Sequence, residues 1–84
     1  MEALDQRLAD LTANLGEFAP TDPVPRPVAE VFNVLVEEAK KTHGHDPIVA
    51  QASPYQMASN EHYLHVNCGG LRALCQQLVT AVRS

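Results

Sequence analysis

Leucine recurs at alternating steps of four and three near the start of the chain: Leu4, Leu8, Leu11 and Leu15, with Phe18 completing the stripe. Asp5, Gln6, Asp10, Thr12 and Asn14 occupy the remaining positions, so the pattern predicts an amphipathic helix over about 2–16. Asn14 and Gly16 weaken its end. A helix of this length is marginal alone in water, so its apolar stripe must be covered. It either folds back on the rest of the chain, which is the simpler option, or packs on a second copy. Leu4, Leu8, Leu11, Leu15 and Phe18 are therefore the candidate partner-binding residues.

A connector over 19–27 follows, carrying Pro20, Pro23, Pro25 and Pro27. Proline removes backbone donors and pushes the residue before it out of the helical region, which predicts a stiff, extended, polyproline-like segment. Such a segment also fits the grooves that bind proline-rich peptides, but a structural spacer is the preferred reading. Pro27 suits the first turn of a second helix over about 27–42. Val28, Val31, Phe32, Leu35 and Ala39 form its expected apolar face, with Val34 and Val36 beside it. That stripe is wide, so the helix is expected to touch neighbours on two sides. Glu37 stands four residues before Lys41, the spacing of a helical ion pair. Gly44 and Pro47 end the helix.

Residues 47–67 are expected to be a short β or irregular segment. Ile48, Val49 and Ala50 read as a possible short strand, while Ser53, Pro54 and Gln56 resemble a capped helix start. Leu64, Val66 and Cys68 then alternate with Tyr63, His65 and Asn67, which is the period of a half-buried strand. That favours a strand over 62–67 against the rival of one helix over 54–68. Gly69 and Gly70 break the chain before a last helix over about 70–83. Its stripe is Leu71, Leu74, Cys75, Leu78 and Val82, flanked by Val79. The expected fold is a mainly helical α+β domain spanning 1–84, with an all-α bundle as the alternative.

Ten acidic residues against six basic ones give a net charge of −4, and the bases are scattered. This is not the basic footprint that displaces counterions from nucleic acid. No apolar run approaches the ~20 residues of a membrane span. The acidic start, Met1 to Asp5, is unlike a secretory leader. Two cysteines make no disulfide framework, so both thiols are expected to be reduced and the cytoplasm is the expected compartment.

The candidate chemistry is sparse. His62, His65 and Cys68 are spaced by threes, which on a helix puts them on one face where a metal ion could bind. A strand over the same residues sends His62 and His65 to opposite faces, so the preferred secondary structure weakens this motif. Cys68, just before a helix, is the better candidate for a reactive thiol. Gly69-Gly70 resembles a phosphate-binding turn only loosely, because neither glycine-rich phosphate signature is present. No set of residues suggests catalysis, and no cofactor is expected. The reading that follows is a small acidic, non-enzymatic protein-interaction module: an adaptor, an inhibitor of the antitoxin kind, or an assembly subunit. Its partner would be another protein or a second copy, with neither nucleic acid nor membrane involved. The alternative is a metal- or redox-responsive protein using His62, His65 and Cys68.

Overall fold

The computed structural model describes residues 3–83. In chain order it holds α1 (Leu4–Leu15), β1 (Pro23–Pro25), α2 (Arg26–His43), α3 (Pro47–Gln51), β2 (Tyr63–Asn67) and α4 (Cys68–Arg83). The fold is mainly helical α+β, with three principal helices and a two-stranded antiparallel sheet among the described residues. No helix there is long and apolar enough to cross a membrane.

The leucine stripe of α1 is spent inside the chain. Leu8, Leu11 and Leu15 are buried, and α1 packs mainly on α4 and secondarily on α2. Leu4 and Phe18 lie partly buried at the margin of the same core. The buried Thr12 hydroxyl donates to the Leu8 carbonyl (2.9 Å), so the one polar side chain in this stripe is satisfied. Two ion pairs bind α1 to its neighbours: Arg7 to Glu38 of α2 (2.8 Å) and Asp5 to Arg83 of α4 (3.0 Å). The Arg83 guanidinium holds the Asp5 carboxyl below its usual range.

The connector is not a free spacer, because its middle forms β1. Pro23 pairs with Asn67 and Pro25 with Tyr63. Proline has no N–H to give a ladder, so both must be non-hydrogen-bonded pairs. The flanking bonds agree: Cys68 N–H donates to the Asp22 carbonyl and Arg26 N–H to the His62 carbonyl, each at 2.8 Å. Val24, between the prolines, is completely buried. Opposite that single residue β2 sets Leu64, His65 and Val66, so the ladder bulges there. Prolines on one edge and a bulge on the other are common protections of an open sheet.

In β2 Leu64 is buried and Val66 half-buried, while Tyr63, His65 and Asn67 are exposed, which is the alternation the sequence carries. The segment before it departs from expectation twice. Ile48, Val49 and Ala50 belong to α3, a single helical turn whose N-cap is Asp46, its carboxylate accepting from Ile48 N–H (2.9 Å). Ser53 starts no helix. The Asn33 side chain of α2 takes the Tyr55 N–H and donates to the Tyr55 carbonyl, both at 2.7 Å. A helix beginning at Ser53 would need that N–H for its own cap. Arg26 holds the end of the same segment through the carbonyls of Ala58 (2.9 Å) and Glu61 (2.6 Å).

Helix α4 begins two residues earlier than the glycine pair suggests, at Cys68. Gly69 lies inside it for steric reasons: a Cβ there would stand 3.0–3.3 Å from the backbone and ring of Pro20. Its φ is not positive, so close approach and not a turn explains the residue. Cys68, Leu71, Cys75, Leu78 and Ala81 form the buried face of α4, with Leu74 and Val82 half-buried beside it.

Candidate interaction surface

Helix α2 is rotated from the expected orientation. Ala29, Phe32, Leu35, Val36 and Ala39 face the core. Val31 is 49% exposed and Val34 48%. At 3.6 residues per turn Val31 lies about 100° round from Phe32, and Val34 about 160°, so neither shares the core face. The expected Glu37–Lys41 pair gives way to Glu38 with Arg7 on a neighbouring helix.

The displaced valines border an open trough. On one side of Val31 a hollow of about 400 Å³ runs between α1 and α2, lined by Arg7, Asp10 and Leu11 from α1 and Val28, Val31 and Leu35 from α2. A second hollow of about 310 Å³ adjoins it, with Pro27, Glu30 and Val34 in its wall. Arg7, Pro27 and Val31 line both, which makes the two one feature. Its floor is apolar and its charges stand at the margin. Arg7 is engaged by Glu38 and Glu30 by Arg26 (3.1 Å), while the Asp10 carboxylate accepts the Gln6 amide (3.0 Å).

The residues singled out for chemistry do not converge. His62 and His65 are exposed, whereas Cys68 is completely buried with its sulfur 3.7 Å from the Pro23 carbonyl oxygen. Among the described residues no group of three or more His, Cys, Asp or Glu is placed to hold a metal ion. Helix position does not activate Cys68. Burial raises its thiol above the ordinary value, and the nearby Asp22 charge adds to this. The start of α4 has no spare donors for a phosphate: the N–H groups of Cys68, Gly69 and Gly70 go to Asp22 O, Pro20 O and Asn67 Oδ1.

Cys75 is buried in the stripe of α4, and burial pushes its thiol up to about 12. The sign of the pH effect follows. In the unfolded chain the thiol ionises near pH 8.5, while the folded chain keeps its proton until about 12. Stability from this group is therefore complete below the unfolded value and falls as pH climbs towards the folded one. The steepest loss is roughly 1.4 kcal/mol per pH unit. Urea titrations between pH 8 and 11 should show Cys75→Ala losing stability more gently than the wild type. Equal slopes would place this thiol in contact with water.

Compared with the models of known protein families, with curated proteins and with solved structures, the chain matches none.

Proposed function

We propose that this chain is a small non-enzymatic protein-interaction module, acting as an adaptor, inhibitor or assembly subunit through the trough between α1 and α2. The observation that carries the reading is the half-exposure of Val31 and Val34 on a helix whose core face is complete without them. Single apolar residues on a surface mean little, but two on one ridge beside an apolar hollow fit the buried centre of an interface. The acidic margin of Asp10 and Glu30 would form its polar rim. Leu8, Leu11 and Leu15 of the α1 stripe are buried against the chain's own helices, which favours the trough beside them over the stripe itself as the docking face.

A photoreactive residue in place of Val34, introduced in the native host, tests this directly. It should give a discrete protein adduct that Val31→Asp suppresses and that a probe at exposed Thr80 does not form. Val31→Asp should leave stability within about 0.5 kcal/mol of wild type, as substitutions on an exposed helical face do. Equal adducts from both positions, or none from Val34, would remove the trough as the docking face.

A further inference from the structure

Resting on that reading, we infer that the occupant of the trough is an amphipathic helix whose apolar stripe is flanked by lysine or arginine. The first argument concerns the backbone. Both walls are helices, and beyond the first turn of α2, where Pro27 has no N–H to offer, their N–H and C=O groups are bonded within each helix. An extended peptide laid there would find no ladder to join and would bury its own amides against valine and leucine side chains. A helix arrives with its backbone already satisfied and presents only side chains.

The second argument is spacing. The α2 wall runs from Pro27 to Leu35, about 13 Å at 1.5 Å per residue, which matches two to three turns of a partner helix. Val28, Val31 and Val34 stand three apart along it, the repeat into which a side-chain ridge of another helix interdigitates.

The third argument is charge. Asp10, Glu30 and Glu38 at the margin outnumber Arg7 and Arg26, and both arginines are engaged by those carboxylates. Glu37 adds another carboxylate one turn beyond Val34, and Lys41 lies a further turn along. A cationic flank is attracted to this margin and an anionic one is repelled.

The test uses the whole chain and two synthetic peptides of about 18 residues, long enough to hold the required turns. Both carry leucines at helical spacing; one is flanked by lysines and the other by glutamates. The lysine peptide should move the methyl resonances of Val31 and Val34 in preference to those of Ile48 and Leu74. Val31→Asp/Val34→Asp should abolish the shifts. Binding should be roughly tenfold weaker for the glutamate peptide, with the difference shrinking as salt screens the margin. Equal binding of both peptides would overturn the cationic requirement while leaving the trough in place. Shifts centred on Ile48 and Leu74, or none at the valines with either peptide, would overturn the inference. If the Val34 probe still captured a protein in that event, the docking face would stand with an occupant of another kind. Sedimentation showing a dimer that the valine double variant dissolves would assign the trough to a second copy.

Discussion

Leu8→Asp/Leu11→Asp is expected to unfold the chain outright. Leu8 is completely buried and Leu11 is 5% exposed, both on the face that α1 turns towards α4 and α2. Each leucine contributes about 1.5–3 kcal/mol by burial. The replacement also asks two carboxylates to enter an apolar core, which costs several kcal/mol more. A chain of 84 residues has about 4–13 kcal/mol of stability in total, so nothing is left. Far-ultraviolet circular dichroism should lose its helical signal and amide resonances should collapse to the unfolded range. A variant that melts cooperatively at the wild-type temperature would show that α1 stands outside the core.

Phe32→Ala is expected to cost about 3–5 kcal/mol, the range for emptying a buried aromatic site. Phe32 is the largest completely buried side chain and lies on the core face of α2. Its ring also meets Tyr55, with centroids 5.6 Å apart, so the loss reaches the irregular segment that Asn33 anchors. Urea unfolding should show the midpoint falling far below wild type with the slope little changed. A loss below about 1 kcal/mol would mean that the surrounding side chains close the space, contrary to the packing seen here.

The sequence constrains these two sites to different degrees. Leu8 and Leu11 belong to a narrow stripe that holds every leucine of α1, so only one orientation of the helix hides them. Phe32 sits on a helix whose apolar residues, from Val28 to Ala39, cover well over half its circumference. Several rotations of α2 would bury a plausible set, and the pattern could not choose among them. The stripe is wider than one core face needs, and the structure leaves the surplus, Val31 and Val34, about half exposed. The trough itself was hidden, because it is made jointly by α1 and α2, which the proline connector separates in the chain.

Local periodicity and sterics were enough to determine the three long helices and the alternation of β2. These depend on neighbours within a turn or two, and each has an amphipathic solution with few rivals. The tertiary structure decided what depends on partners distant in sequence. Pro23 and Pro25 became a strand because Asn67 and Tyr63 came to lie opposite them. Ser53 failed to start a helix because Asn33, twenty residues earlier, took the Tyr55 amide. Gly69 entered a helix because Pro20 approached it too closely for any side chain. The thiol of Cys68, near a helix start that would favour ionisation, was instead made less acidic by burial. In each case a contact across the fold offered the backbone or side chain a better partner than its own neighbourhood, and local preference, worth about 1 kcal/mol or less per residue, gave way.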